Sequence, residues 1–168
     1  MNYPEVLMEI RPSQLEGVGV FALRNLKAGQ KIIIQEEKEF DDQIPWSEFE
    51  KLDDKQKQMV FSFAIGTSDG FVAPENLNFN KLSGNWFLNH SCNGNVGFDE
   101  QGNFIAIKDI KKDEELVYDY ALLESNPNFK MNCQCRSANC RHVITGNDWK
   151  SGVVGQKYMT PHLKKQLS

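Results

Sequence analysis

The sequence predicts a mainly β fold with one inserted helical segment. Short apolar runs, rich in valine, isoleucine and phenylalanine, alternate with turns that contain glycine, proline or asparagine along most of the chain. This pattern is typical of small antiparallel sheets. Apolar residues at helical spacing extend over a sizeable stretch after Pro45. With 168 residues, the chain has the length of one domain that can bury a hydrophobic core.

The first predicted strands occupy residues 6–10, 17–23 and 31–35. Pro12 ends the first strand, Gly17 opens the second, and a turn at Ala28-Gly29 precedes the third. A helix is then predicted from Ser47 to about residue 62, because Ser47 and Glu50 have the spacing of a capping box. The apolar residues that follow at helical spacing are Phe49, Leu52, Met59, Val60 and Phe63.

The rest of the chain is predicted to return to strands. A turn at 66–70 leads into a strand at 71–72, and further strands are expected at 96–98, 104–107 and 115–118. The turn at 101–103 joins two of these strands into a hairpin. Residues 125–140 have little apolar periodicity, so we expect them to need a metal to become ordered. A short helix is predicted at 160–167.

Composition and charge exclude several classes of protein. The chain is 40% hydrophobic and 25% charged, and no window approaches the ~18 apolar residues of a membrane span. The amino terminus lacks a basic segment followed by an apolar run, which favours an intracellular protein without distinguishing cytoplasm from nucleus. No basic stripe interleaved with aromatic residues is present, so direct nucleic-acid binding is not predicted.

The net charge of −4 is unevenly distributed. Residues 36–54 contain nine acidic side chains and two lysines, a local balance of −7 that leaves +3 for the remainder. Two interpretations stay open. The stretch is either a solvated helix face or a surface that guides a cationic partner by long-range electrostatics.

All four cysteines are candidates for one metal site. Cys133, Cys135 and Cys140 form a Cys-x-Cys-x4-Cys motif, and Cys92 precedes them in the Asn-His-Ser-Cys segment. Four thiolates are what a closed tetrahedral zinc site requires, and an intracellular location favours metal binding over disulfides. Buried or free thiols are an alternative, as is a nucleophilic Cys92 beside His90.

Three further motifs are ambiguous when each is taken singly. Gly17-Val18-Gly19 is typical of a tight turn and lacks the strand-then-helix setting of a dinucleotide site. The side chains of Asn89 and His90 either form hydrogen bonds with the backbone of their own loop or bind a heterocyclic ligand through hydrogen-bond donors and acceptors. Tyr118 and Tyr120, two apart on a predicted strand, face the same side and either pack in a core or line a site.

Taken together and in order, these motifs resemble those of the SET-domain protein lysine methyltransferases that carry a post-SET zinc motif. The motifs are Gly-Val-Gly-Val-Phe-Ala, Asn-His-Ser-Cys, Glu-Glu-Leu-Val-Tyr-Asp-Tyr and Cys-x-Cys-x4-Cys. The resemblance covers about residues 5–142 and is weakest around 38–80, a part that varies in this family. It implies a SET fold of small β-clip-like sheets, in which the tyrosine segment is threaded past the Asn-His-Ser-Cys segment as a pseudoknot.

The resemblance also implies roles for individual residues. Tyr120 would be the catalytic tyrosine, and Tyr118 would occupy a position where phenylalanine or tyrosine tunes the number of methyl groups added, here favouring monomethylation. The implied contacts of S-adenosyl-L-methionine are Gly17, Val18, Gly19, Val20, Asn89, His90 and Tyr120. The implied ligands of one structural Zn²⁺ are Cys92, Cys133, Cys135 and Cys140. Trp149 is a candidate for the aromatic residue that covers the cofactor.

The resemblance implies a SET domain at residues 1–124 with a variable insert at about 38–80, a post-SET zinc segment at 125–145 and a C-terminal tail at 146–168. The expected function is that of a protein-lysine N-methyltransferase, whose partner is a basic protein or peptide, such as a histone tail, rather than a membrane. The alternative is a zinc-stabilised peptide-binding module without catalytic activity. The presence of Asn89, His90 and Tyr120 together argues against that alternative.

Overall fold

The computed structural model describes residues 7–33 and 42–167, and these form a mainly β structure, as predicted. The described strands are β1 (Met8–Pro12), β2 (Val18–Ala22), β3 (Lys31–Ile33), β4 (Asp42–Pro45), β5 (Ile65–Thr67), β6 (Gly70–Ala73), β7 (Asn89–His90), β8 (Val96–Phe98), β9 (Phe104–Ala106), β10 (Glu115–Tyr118), β11 (Lys130–Asn132) and β12 (Val143–Thr145). The largest sheet has the order β1-β2-β10-β8-β9-β3, with β7 also paired to β10. Strands β4-β6-β5 form a second sheet, and β11 pairs with β12.

Strand β10 lies between β2 on one side and β7 and β8 on the other. It is antiparallel to β2, where Leu116 faces Val20, and parallel to β7 and β8, where Tyr118 faces His90 and Val96. The Asn95 side chain extends this ladder, because its amide donates to the Glu115 carbonyl (2.8 Å) and its oxygen accepts from the Val117 N–H (2.9 Å). The tyrosine segment is therefore placed directly beside the Asn-His-Ser-Cys segment, as the resemblance predicts.

The single helix predicted from Ser47 to about residue 62 is instead two helices, α1 (Trp46–Phe49) and α2 (Asp54–Phe63). The capping box is formed by Asp53 and Gln56 rather than by Ser47 and Glu50. Asp53 has an extended backbone (ψ 167°), so the chain leaves the helical conformation before α2 begins. The predicted C-terminal helix is confirmed as α3 (Pro161–Leu167).

The predicted strands are found with small shifts at their ends. The first begins at Met8 and extends through Pro12, and position 6 lies outside the described residues. The third covers Lys31–Ile33, with positions 34 and 35 also outside the described part. The hairpin strands at 96–98 and 104–106 agree with the prediction to within one residue.

Short 3-10 helices fill several connections: Glu75–Leu77, Phe79–Lys81, Gly84–Phe87, Tyr120–Leu122, Asp148–Lys150 and Gln156–Tyr158.

The C-terminal residues complete the main hydrophobic core. Leu26, Val96 and Leu116 from the large sheet and its loops are fully buried, and Met159 and Leu163 from the last part of the chain pack into the same cluster. A second cluster lies under α1 and α2, where Phe49, Val60 and Phe71 are buried. A third surrounds the cysteines and Ile144. The chain after the cysteine motif is thus part of the folded body.

Two sequence-based expectations concern the surface. Of the acidic stretch 36–54, residues 36–41 lie outside the described ranges, whereas Glu48, Glu50, Asp53 and Asp54 are exposed. This is what a solvated acidic face requires.

None of the helices within 7–33 and 42–167 is long and apolar enough to cross a membrane.

The contact between Gly146 and Asn126 predicts a steric requirement for glycine. A Cβ at Gly146 would clash with the backbone carbonyl of Asn126, whereas a Cβ at Gly155 would meet no atom within 4 Å. We predict that Gly146→Ala lowers the free energy of unfolding by about 1–3 kcal/mol, because the backbone must shift to accept the methyl group. Urea unfolding followed by tryptophan fluorescence measures this difference.

The matched control is Gly155→Ala, at a position with φ −69° that any residue can adopt. We expect its free energy of unfolding to stay within about 0.5 kcal/mol of the unaltered protein, or to rise slightly. Equal losses in the two variants would contradict the steric explanation.

Candidate active site and metal centre

The four cysteines lie together in one cluster. Their Sγ atoms are all within 4.8 Å of one another, and those of Cys92 and Cys133 are 3.8 Å apart. Four thiolates around a zinc ion with bonds of about 2.3 Å form a tetrahedron whose edges are about 3.8 Å. The predicted set Cys92, Cys133, Cys135 and Cys140 can therefore hold one metal ion, with all four positions filled by protein.

The surroundings of the sulfur atoms favour thiolates that bind a cation. Burial raises the pKa of the Cys92 and Cys133 thiols, so their thiolate forms need a nearby positive charge, which a metal supplies. Backbone N–H groups already point at the sulfurs. Arg141 N–H donates to Cys92 Sγ (3.3 Å), and His142 N–H donates to Cys140 Sγ (3.4 Å).

Two side chains hold other segments against the cysteine trio. The Asn139 amide donates to the Cys92 carbonyl (2.9 Å). The Arg141 guanidinium forms a two-pronged pair with the buried Asp119, at 2.6 and 2.7 Å, and its Nε donates to Asp148 (3.1 Å). Because Asp119 directly precedes Tyr120, the cysteine-rich segment is attached to the tyrosine segment.

The tautomer of His90 follows from its two neighbours. Its Nδ1 accepts a hydrogen bond from the Tyr120 N–H (3.1 Å), so Nε2 carries the proton and faces Cys92 Sγ at 3.4 Å. Burial lowers the pKa of His90 to about 4, so the ring is neutral. A buried Cys92 thiol with a raised pKa is a poor nucleophile, and the geometry favours a metal ligand oriented by His90.

A cavity of about 120 Å³, called here the aromatic cavity, lies between α2 and strand β10. Among the described residues, its wall contains both tyrosines of the motif and one carboxyl group, that of Glu124. The other aromatic rings in the wall are Phe61, Phe63, Trp86, Phe104 and Phe129. A space of this size with an aromatic-rich wall suits the alkyl chain of an extended side chain.

A smaller cavity, called here the polar cavity, lies between the first glycine loop and the cysteine-rich segment. Its wall is formed by Leu15, Glu16, Asn89, His90, Tyr120, Met131, Asn132, Gln134 and Cys135. Among the described residues, only Tyr120 lines both cavities. A ligand in one cavity and a ligand in the other would therefore meet at this ring.

Tyr120 is held firmly and stays protonated. Its hydroxyl donates to the Leu88 carbonyl (3.2 Å), and its ring packs edge-on against His90, with centroids 5.1 Å apart. Burial, with smaller contributions from Glu16 and Glu124, raises the pKa of Tyr120 to about 12. At neutral pH this hydroxyl can orient a ligand, but it does not act as a base.

Tyr118 lies beside Tyr120 with ring centroids 4.9 Å apart. Burial raises the pKa of its hydroxyl well above the usual value, so it too is neutral. Within the described part of the chain, the Tyr118 side chain makes ring contacts with Phe98, Phe104 and Tyr120 and no hydrogen bond. Its hydroxyl is therefore available to a ligand in the aromatic cavity.

Asn89 ties the glycine loop to the site. Its amide donates to the Val18 carbonyl (3.0 Å) and to the Glu115 carboxylate (2.9 Å). Gly17 has φ +50°, which favours glycine, and a Cβ at Gly19 would collide with the Glu115 carboxylate. The Gly-x-Gly pattern is thus explained by this turn and this close approach, and its role in cofactor binding stays a prediction.

The positions of Val20 and Trp149 bear on the predicted cofactor contacts. The Val20 side chain is fully buried in the main core, which is compatible with the predicted contact through its backbone. Trp149 was expected to cover the cofactor, but its indole is buried in the same core and donates to the Gly146 carbonyl (3.0 Å). The sequence position of Trp149 after the third cysteine of the motif did not indicate this packing.

Several wall residues are not indicated by the sequence motifs. Glu16 directly precedes Gly17, and Asn132 directly precedes Cys133, so proximity to a motif was the available signal for both. Phe129 lies in the segment 125–140, which has little apolar periodicity, and Glu124 directly precedes that segment; nothing in the sequence distinguishes either residue. Folding brings them to the cavity.

The family of this fold is shown by comparison with known proteins. The SET domain family matches residues 17–121, well over half of the 168 residues, so the chain belongs to the SET domain family. The matched region includes Cys92 and both motif tyrosines. The remaining three cysteines follow it, where a post-SET motif is expected.

Similar proteins include named methyltransferases. The chain is 29% identical over 142 residues to "Histone-lysine N-methyltransferase 2D" of Homo sapiens, covering 77% of this chain and 2% of that protein. It is 28% identical over 96 residues to "Methyltransferase flvH" of Aspergillus flavus, covering 55% of this chain and 54% of that protein. It is 29% identical over 143 residues to "Histone-lysine N-methyltransferase, H3 lysine-4 specific" of Emericella nidulans, covering 79% and 11%. The chain thus spans only part of the length of these curated relatives.

The cysteine cluster predicts that the protein binds one zinc ion per chain and that removing it disorders residues 125–145. Strands β11 and β12 form an isolated two-stranded sheet, which is marginally stable without further support. We expect a strong chelator to speed amide hydrogen exchange in this segment and to abolish catalytic activity, while the β8–β9 hairpin stays protected. Exchange mass spectrometry and elemental analysis measure both effects.

Restoring zinc after chelation is the control and should restore protection. A metal-free protein whose residues 125–145 exchange as slowly as before would show that the cysteines are not held by a metal.

Proposed function

We propose that this protein transfers a methyl group from S-adenosyl-L-methionine to the amino group of a lysine side chain in a protein substrate. The observation that carries the proposal is the position of Tyr120, which lines both the aromatic and the polar cavity, in a chain of the SET domain family. The names of its relatives support the same reaction class.

The polar cavity has the chemistry to hold the cofactor. Leu15 and Met131 offer apolar surface, Asn132 and Gln134 offer amide groups, and the acidic Glu16 complements a positively charged ligand. S-adenosyl-L-methionine carries a sulfonium cation and, when bound, supplies an electrophilic methyl group. Asn89 and His90 complete the wall on the side of the large sheet.

The aromatic cavity would receive the lysine side chain. A lysine amine must be neutral to attack a methyl group, and its deprotonation at pH 7 costs about 4.6 kcal/mol from an ordinary pKa of ~10.4. Apolar walls reduce this cost because burial disfavours the ammonium form. Alignment of the amine by fixed walls contributes further, since orientation effects reach several kcal/mol.

The two phenols would orient the amine. Tyr120 is fixed by the Leu88 carbonyl and by His90, so its hydroxyl stands at a defined place at the junction of the cavities. Tyr118 presents a hydroxyl without a hydrogen bond to the described residues, and such a group can hold a water molecule in the space that a second methyl group would need. We infer that the main product is monomethyl-lysine.

The substrate would be a basic protein segment of the histone type. The stretch 36–54 has a local charge of −7, which complements basic side chains. Of its carboxylates, those of Glu48 and Glu50 are paired with Lys51 and Lys57, whereas Asp53 and Asp54 are exposed. Incubation with radiolabelled S-adenosyl-L-methionine and core histones or a cell extract, followed by mass-spectrometric mapping of methylated lysines, tests this proposal. Tight cofactor binding without any labelled protein would favour a peptide-binding module instead. An intracellular location stays a prediction.

We predict that Tyr120→Phe lowers methyl transfer by roughly 10²-fold or more, because the amine and the methyl group lose the hydroxyl that aligns them. Binding of S-adenosylhomocysteine, measured by calorimetry, should change little. The matched control is Tyr158→Phe, since Tyr158 packs against the main core outside both cavities. Comparable turnover of the Tyr120→Phe and control variants would remove Tyr120 from the mechanism.

We predict that Tyr118→Phe shifts the product from monomethyl-lysine toward dimethyl-lysine. Loss of the hydroxyl frees space beside the amine. The first methyl group can then occupy this space while a second methyl group is added. Mass spectrometry of the labelled protein gives the ratio of the two products, and Tyr158→Phe should leave that ratio unchanged. Efficient trimethylation by the unaltered protein would contradict this role of Tyr118.

A further inference from the structure

The aromatic cavity contains a carboxyl group that the mechanism above does not use. Glu124 lies four residues after Tyr120 and is partly buried in the cavity wall. Its Oε2 accepts a hydrogen bond from the Gly66 N–H on β5 (3.0 Å), and its Oε1 accepts one from the Asn126 N–H (2.7 Å). These two bonds fix the carboxylate between the inserted sheet and the tyrosine segment.

Glu124 has no cationic partner within the described residues, although buried carboxylates generally need one. The other ionisable groups in the described cavity wall are the phenols of Tyr118 and Tyr120, which are neutral. Burial raises the pKa of Glu124 to about 7, although backbone hydrogen bonds from Asn126, Gly66 and Ser125 oppose the shift. A cation entering the cavity would find this charge uncompensated.

The size and lining of the cavity select the kind of cation. Its volume of about 120 Å³ is close to the roughly 150 Å³ of an engineered cavity that binds benzene. An alkyl chain of four carbons ending in an ammonium group is of similar size. Aromatic faces attract ammonium groups electrostatically, and the wall contains seven aromatic side chains.

We propose that Glu124 is an ammonium-binding subsite of the aromatic cavity that also accepts one proton from the substrate amine. This rests on the proposed lysine methylation. The ammonium N–H bond breaks, its electron pair stays on nitrogen, and an O–H bond forms on the carboxylate, so a neutral amine and a neutral carboxylic acid result. Among the aromatic side chains of the wall, this neutral pair avoids the desolvation cost of an ion pair.

The binding part of the proposal is tested with n-butylammonium chloride, which mimics a lysine side chain, and with n-butanol as its neutral counterpart. NMR titration of the whole chain gives both affinities. We expect Glu124→Gln to weaken n-butylammonium binding at least tenfold and to leave n-butanol binding unchanged. The matched control is Glu100→Gln, because Glu100 is an exposed partner of Lys164 outside the cavity.

The unaltered protein provides a measurement that does not depend on a variant folding. n-Butylammonium should bind more tightly as pH rises from about 5.5 to 8.5, because Glu124 loses its proton while the ligand stays charged. Glu124→Asp, which keeps the charge, should keep this pH dependence. Binding that is independent of pH, or equal in the Glu124→Gln variant, would overturn the proposal.

The proton-accepting part is tested by the pH dependence of kcat/KM on labelled core histones. In the unaltered protein, kcat/KM should rise to about pH 7 and then level off, because ionised Glu124 takes the proton of the bound ammonium. In Glu124→Gln it should be about 10²- to 10⁴-fold lower near pH 7.5. The kcat/KM of the Glu124→Gln variant should keep rising at higher pH, where free lysine becomes neutral. A Glu124→Gln profile parallel to that of the unaltered protein would overturn this role.

The two proposals fail in different ways. If neither histones nor a cell extract are labelled, the proposed methyl transfer fails, and the n-butylammonium titration still decides whether Glu124 binds amines. If histones are labelled equally well by Glu124→Gln over the whole pH range, methyl transfer stands and the role of Glu124 is overturned.

Discussion

The ion pair between Asp119 and Arg141 holds the tyrosine segment against the cysteine-rich segment, and the geometry of the site depends on it. Asp119 is buried, and both of its carboxylate oxygens face the guanidinium. Removing one partner of such a pair leaves a buried, uncompensated charge, at a cost of about 3–5 kcal/mol. Asp119 also accepts from the Ala121 N–H, so the same carboxylate starts the turn that carries Tyr120.

The metal centre and the polar contacts around it also hold the tyrosine segment and the cysteine-rich segment together. Cys92 belongs to the segment that pairs with β10, and the other three cysteines belong to the segment that forms one wall of the polar cavity. His90 connects the metal centre to the tyrosine segment, because one ring nitrogen faces Cys92 and the other accepts a hydrogen bond from the Tyr120 N–H. Movement of the cysteine cluster would therefore be transmitted to the tyrosine.

The two cavities differ in their chemistry because different elements supply their walls. The inserted helix α2 and strand β5 contribute apolar and aromatic residues to one cavity. The glycine loop and the cysteine-rich segment contribute amide and acidic groups to the other. Tyr120 is thus in contact with an aromatic cavity and with a smaller polar one.

Local patterns in the sequence were sufficient for most strands, for α3 and for the cysteine cluster. Strand periodicity, glycine turns and ligand spacing are properties of short segments. They can therefore be recognised in the sequence without knowledge of the tertiary contacts. The break between α1 and α2 was missed because Ser47 and Glu50 have the spacing of a capping box but form none, and the capping box forms six residues later, at Asp53 and Gln56. Strands β4 and β5 were too short for their pattern to be distinguished from loops.

Tyr120 was indicated as the candidate catalytic residue by the family resemblance of its motif, but its place between two cavities was decided by the tertiary structure alone. The same holds for Glu124, whose carboxyl reaches the aromatic cavity because Gly66, far away in the sequence, binds it there. Trp149 shows the reverse case, since its position along the chain suggested a cofactor contact and core packing buried it. Long-range packing brings together residues whose local sequence carries no sign of their partners, so the sequence determined which residues are candidates for the site and the fold determined their surroundings.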